Sequence, residues 1–128
     1  MRSLAWLVFA SLVSIAMAAA NPLSFSEAER IWQQNKDKPE YQTYAAEFTQ
    51  FNNSLHLDEK DGCYGQGTGP VRLLLVITHP AGEPYARITQ TVTDVDNAKA
   101  QCFRKSYRGI QTKVPPFLPF VFQMDMGG

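Results

Sequence analysis

The segment "VRLLLVIT", residues 71–78, constrains the fold more than any other part of the chain. Its apolar residues do not alternate with polar ones, so a strand built from it is apolar on both faces. Such a strand needs neighbours on both sides or a cover on both faces. The sequence that follows supplies one neighbour. "HPAGEP" is turn chemistry, and "YARITQTVT" sets Ala86, Ile88 and Val92 against Arg87, Thr89, Thr91 and Thr93. That is the two-residue alternation of a half-buried strand, and the two runs form an antiparallel hairpin.

Helical patterns supply the cover. In "SFSEAERIWQQN", residues 24–35, Ser24 and Ser26 each precede a glutamate by three, so either can cap a helix whose apolar face is Phe25, Ala28, Ile31 and Trp32. After "KDKP", Asp37 and Pro39 start a second helix; Tyr41, Tyr44, Ala45, Phe48 and Phe51 repeat at three and four residues. An aromatic stripe at that spacing reads as core. "DVDNAKAQCFRKSYRGI" reads as a third helix capped by Asp94 or Asp96, with Val95, Cys102, Phe103, Tyr107 and Ile110 on its buried stripe and Gly109 ending it. Its cations Lys99, Arg104, Lys105 and Arg108 gather on the other side, late in the helix where the dipole favours them. The Pro115-Pro116 pair stiffens a turn into a last strand, residues 117–126, in which Phe120, Phe122, Met124 and Met126 alternate with Val121, Gln123 and Asp125. Pro119 cannot donate to a ladder, so this strand starts late or lies at an edge. The order is α-α followed by β-β-α-β: an α+β domain with a three-stranded antiparallel sheet.

The amino terminus has a different character. Arg2, an apolar run over residues 4–20 and the small-residue ending "AMAAANP" describe a secretory signal peptide cleaved before Asn21, leaving residues 21–128 as one domain. The rival reading is an uncleaved inner-membrane anchor; the run is at the short limit for a span. The chain has two cysteines, Cys63 and Cys102, both outside this segment. An even count in an exported chain reads as one disulfide, worth about 4 kcal/mol for a loop of this length on the chain-entropy model. Two separate buried thiols are the alternative. Twelve cations balance twelve anions, so no global field draws the chain to nucleic acid, and 45% apolar residues argue against disorder.

Three stretches, "GPVRLLLVITHPAGEPYARITQTV", "NAKAQCFRKSYRGIQ" and "VPPFLPFVFQMDM", together resemble the C-terminal domain of TonB-type energy transducers. The resemblance covers about the last half of the chain. Related periplasmic domains carry a cysteine before the first strand and another in the helix, and "GCYG" with Cys102 looks like that pair. The resemblance implies a β-β-α-β module that binds another envelope protein. The long Pro-rich linker of the family is missing, and the two aromatic helices are extra. The resemblance therefore implies the binding module and not the transduction of force.

Signatures of enzyme chemistry are absent: there is no nucleophile elbow and no Walker loop, and the expectation is no enzyme and no cofactor. Asp58, Glu59 and Asp61 lack the spacing of an EF-hand and read as a solvated loop. His56, Cys63, His79 and Cys102 match no zinc spacing, so no metal is expected. "GQGTG" precedes a strand and lacks the helix terminus that would hold phosphate. Two surfaces remain. Lys99, Arg104, Lys105 and Arg108 could meet an anionic partner, or form a plain solvated helix face. Val121, Phe122, Gln123, Met124 and Asp125 could accept an extended partner segment by strand addition, or form a plain edge strand blunted by Pro119 and Asp125. The expectation is a periplasmic, disulfide-linked protein-binding module. The alternative is a periplasmic inhibitor or immunity protein that plugs an enzyme with the loop at 57–69. The oligomeric state is left open.

Overall fold

The computed structural model describes residues 22–56 and 62–127. The signal-like segment and the acidic trio at 58–61 lie outside the described residues. Helices α1 (Phe25–Asn35) and α2 (Pro39–Ser54) precede a short 3-10 turn at Cys63–Gln66. Strands β1 (Val71–Thr78) and β2 (Ala86–Thr93), helix α3 (Ala98–Tyr107), strand β3 (Gln111–Thr112) and strand β4 (Phe120–Met126) follow. The architecture is α+β, with an antiparallel sheet ordered β3-β2-β1-β4.

The sheet has four strands where three were expected. The addition is β3, whose Thr112 and Gln111 lie opposite Ala86 and Arg87. Two polar residues carry no periodicity, and only the ladder reveals them as a strand.

The double-faced strand has both the neighbours and the cover its sequence demands. Strand β1 runs between β2 and β4. On one face Val71, Leu73, Leu75 and Ile77 join Phe120, Phe122 and Met126 of β4, and α2 and α3 close over them with Tyr41, Tyr44, Phe48, Phe103 and Tyr107. On the other face Leu74, Val76 and Val121 meet Ala28, with Leu23, Phe25 and Ile31 packed around it. Trp32 touches both clusters, so the corner between α1 and α2 folds around the β4 edge.

Local signals set the helix ends. Ser24 caps α1 through a full capping box: its hydroxyl accepts from the Glu27 amide at 3.2 Å, and the Glu27 carboxylate accepts from the Ser24 amide at 2.9 Å. Pro39 sits in the first turn of α2. Helix α3 starts later than its aspartates suggest. Asn97 is the cap, accepting from the Ala100 amide at 2.8 Å. Asp94 is already committed to the sheet, its Oδ1 accepting the Arg72 amide at 2.8 Å, and Asp96 is held by Arg104. Val95 consequently lies outside the helix, 39% exposed and off the buried stripe. At the other end Gly109 has φ +74, a conformation that side chains with a Cβ resist, and the chain turns directly into β3.

Cys63 and Cys102 are joined, with Cα atoms 5.4 Å apart, which pins the 3-10 turn to α3. Among the described residues no helix is long and apolar enough to cross a membrane.

Candidate functional site

Strand β4 lies at one edge of the sheet, paired only with β1. Its backbone directions follow from two independent contacts. The Tyr41 hydroxyl donates to the Val121 carbonyl at 2.8 Å, from the side away from β1. Arg72, opposite Asp125, spends both backbone groups on Asp94, toward β2. Because antiparallel pairs alternate, Val121, Gln123 and Asp125 aim their N–H and C=O groups outward, while Phe120, Phe122, Met124 and Met126 aim theirs at β1.

The outward row is not uniformly open. Trp32 and Tyr41 from the α1–α2 corner cover its beginning. Burial pushes the Tyr41 phenol up to about 12, opposed by a hydrogen bond with Trp32. Of the five residues expected to accept a partner, Val121 is 1% and Phe122 9% exposed, and the Val121 carbonyl is taken. The accessible part is Gln123, Met124 and Asp125. On the α1 face there, Arg72 donates to Asp125 at 3.0 Å and to Glu29 at 3.1 Å, and Gln123 donates to Asp125 at 2.7 Å. These contacts hold the polar side chains down against the sheet face.

The expected cationic cluster does not form. Lys99 is 2% exposed. Its Nζ donates to the Gly69 carbonyl at 3.0 Å and the Gly127 carbonyl at 2.9 Å, and it sits 4.9 Å from the centre of the Tyr64 ring. The residue thus ties the approach to β1 to the end of β4. Lys99, Phe103 and Tyr107 recur at four-residue spacing on the buried face, so the spacing was legible; the charge concealed it. A long alkyl stem lets a lysine occupy such a position. Arg104 is spent on Thr93 at 2.7 Å and Asp96 at 2.6 Å, holding the Asp96 carboxyl below its ordinary range. Only Lys105 and Arg108 of the four remain exposed.

At the opposite edge, β3 borders an aromatic cleft. The cleft encloses about 510 Å³ between α2 and β3, walled by Tyr44, Phe48, Phe51 and Tyr85, with Gln111, Thr112 and the Glu47–Lys113 pair. Tyr44 donates to the Lys113 carbonyl at 2.6 Å, and Lys113 Nζ meets Glu47 at 2.7 Å. Both bonds join lining residues of the cleft. The Lys113 carbonyl therefore faces outward, and by alternation so do the N–H and C=O of Gln111, while Thr112 faces Ala86. The Thr112 side chain is 6% exposed, and its hydroxyl lies beside the Tyr44 phenol, where a hydrogen bond between them opposes the rise that burial causes in Tyr44. The nearby Tyr44 hydroxyl has already given its proton to Lys113.

Sequence reading missed this cleft. The aromatic stripe of α2 was legible as core, and core is what most of it is. That its phenols also cap edge carbonyls, and that Phe48 and Phe51 leave a gap beside β3, depends on where the sheet ends. Comparison of the chain with protein-family models, with curated proteins and with solved structures gives no match.

Proposed function

We propose that this protein is a non-enzymatic binding module which docks a partner protein by strand addition at the open end of β4. The observation that carries the reading is the outward direction of the Gln123 and Asp125 backbone groups at a sheet edge. Edge rows of this kind are either blunted or used. Here the beginning of the edge is blunted by Trp32 and Tyr41 and the end is left accessible, a division that suits a short extended segment. An exported, periplasmic setting agrees with the disulfide, since such bonds persist in oxidising compartments. The likeness to TonB-type C-terminal domains rests on the residues quoted above and adds the expectation that the partner belongs to the cell envelope.

A proline at 123 tests this. The Gln123 N–H points away from β1, so Gln123→Pro removes a donor from the open edge without removing one from the ladder. Affinity capture from envelope extracts should yield a partner with the wild type and lose it with Gln123→Pro, while the circular dichroism of the two proteins stays the same. Capture unchanged by Gln123→Pro but lost on replacing the segment at 62–69 would set the reading aside in favour of an inhibitor that presents its loop. The specific feature behind that second reading is Tyr64, exposed on a turn that Cys63 anchors.

A further inference from the structure

The surroundings of the open end of β4 narrow the chemistry of what can pair with it. Gln123 and Asp125 turn their backbone groups outward and their side chains toward the α1 face. Beside Asp125 a hollow of about 460 Å³ lies between α1 and the ends of β1, β2 and β4. Its charged lining comes from all four elements: Glu29 of α1, Arg72 of β1, Asp94 just past β2 and Asp125 of β4. Arg72 donates through Nε to Asp125 Oδ1 and through Nη1 to Glu29 Oε2, while its amide donates to Asp94 Oδ1. Each carboxylate uses one oxygen in these contacts and keeps the other for a further donor. Three carboxylates around one guanidinium leave the lining with an excess of two negative charges. The whole chain carries twelve cations and twelve anions, so this excess is local and no share of a global field. Glu29 and Asp125 both keep side-chain surface open to solvent, so an arriving cation can reach them. Carboxylates fixed in this way attract a basic segment and repel an acidic one.

We propose that the open end of β4 selects an extended, basic segment of a partner protein, with a lysine or arginine opposite Asp125. The proposal rests on the strand-addition reading above and adds the chemistry of the partner. Residues directly opposite one another across a ladder place their side chains on the same face. An incoming residue opposite Asp125 therefore lies on the α1 face, where its ammonium or guanidinium meets the second oxygens of Asp125 and Glu29. The residue opposite Gln123 is two positions along and shares that face, so a second cation there lies within the same field. The residue between them falls on the other face beside Met124, a half-buried apolar side chain, and is itself apolar. The segment thus reads cation, apolar, cation. An acidic segment finds the one cation of the lining, Arg72, already engaged by two carboxylates.

Blocked heptapeptides test the selection: acetyl-Thr-Val-X-Val-X-Val-Thr-amide with X as Lys, Gln or Glu, titrated into the oxidised full-length protein and followed by backbone amide shifts. The Lys peptide should move the amides of Gln123, Met124 and Asp125. It should bind about threefold to tenfold more tightly than the Gln peptide, the worth of one or two cross-strand charge pairs. The Glu peptide should bind more weakly than either. Raising the salt from about 0.02 M to about 0.5 M should shrink these differences, since exposed charges are screened. Glu29→Gln combined with Asp125→Asn removes the excess charge. Surface pairs of this kind contribute little to stability, so circular dichroism should be unchanged while the preference for Lys over Gln disappears. The proposal is overturned if the Lys peptide binds no more tightly than the Gln peptide, or if the folded double variant keeps the preference. It is also overturned if Gln123→Pro leaves binding of the Lys peptide unchanged, since the cation would then be held without backbone pairing. Should the double variant fail to fold, the order of the three peptides and its salt dependence in the natural chain decide the matter. Equal binding of all three peptides at Gln123 and Asp125 would overturn the selection and support strand addition. No shift there with any peptide would overturn both, so the two readings fail separately.

Discussion

The two edges of the sheet are managed by the same helix in different ways. At β4, Tyr41 caps the Val121 carbonyl and Trp32 wraps the corner, so the edge is closed where it begins and open where it ends. At β3, Tyr44 caps the Lys113 carbonyl, but the strand is so short that the helix overhangs a cleft instead of covering a ladder. Three residues apart on α2, two phenols thus terminate opposite sides of one sheet. Between them stands Phe120, 4.5 Å from the Tyr41 ring and 4.6 Å from the Tyr44 ring. The difference teaches that an aromatic stripe can serve as core through its rings and as edge protection through its hydroxyls. What remains open is set by strand length, not by the stripe.

If Phe120 couples the two edges, removing it should loosen both. Phe120→Ala takes away a fully buried ring and should cost about 3–5 kcal/mol in denaturant unfolding. Amide exchange should rise at both Val121 and Lys113; a rise at only one would separate the edges. Replacing Cys63 and Cys102 together by serine should cost about 2–4 kcal/mol, since the unfolded chain regains its freedom. The local effect should fall on one side alone. The turn held by Cys63 carries Tyr64, whose hydroxyl donates to Met126 Sδ at 3.2 Å and whose ring faces Lys99. Exchange should therefore increase near Met126 and Gly127 and stay unchanged at Gln111 and Thr112.

Alkali probes the phenols. The Tyr41 phenol ionises at about 12 in the folded protein against 10 in the unfolded chain, and burial raises Tyr44 as well. Between those values the unfolded state releases protons that the folded state keeps, so stability is full below pH 10 and falls as pH rises toward 12. The Tyr41 contribution to that loss is on the order of 2 kcal/mol, and it should vanish in Tyr41→Phe when melting is followed against pH. At neutral pH, Tyr41→Phe and Tyr44→Phe should each cost about 1 kcal/mol, one hydrogen bond to a carbonyl. Their exchange footprints should be opposite, Val121 for the first and Lys113 for the second. Glu47→Gln should give the smallest change, with stability unaltered, because both partners of that pair are exposed.

Much of this was legible before any coordinates. The apolar run of β1, the alternation of β2, the capping serine of α1 and the proline opening α2 act within a few residues, and each set its element. The disulfide was legible from the cysteine count, and the edge position of β4 from Pro119. Lys99 was misplaced because its charge outweighed its spacing from Phe103 and Tyr107 in the reading, whereas in the structure two carbonyls and a ring accommodate the charge. Asp94 and Asp96 looked like helix caps because capping chemistry is local, yet the Arg72 amide of β1 claims Asp94, and the Arg104 side chain, from within α3 itself, claims Asp96.

The sequence by itself determined which segments are helical or extended, and that one strand must be covered on both faces, because those properties are written in neighbouring side chains. Only the tertiary structure decided where the sheet stops. A two-residue strand and two phenols reaching backbone carbonyls 80 and 69 positions away in the chain both depend on groups brought together by folding. No pattern along the chain encodes such a meeting, since the free energy that fixes it comes from burial and hydrogen bonding between distant segments.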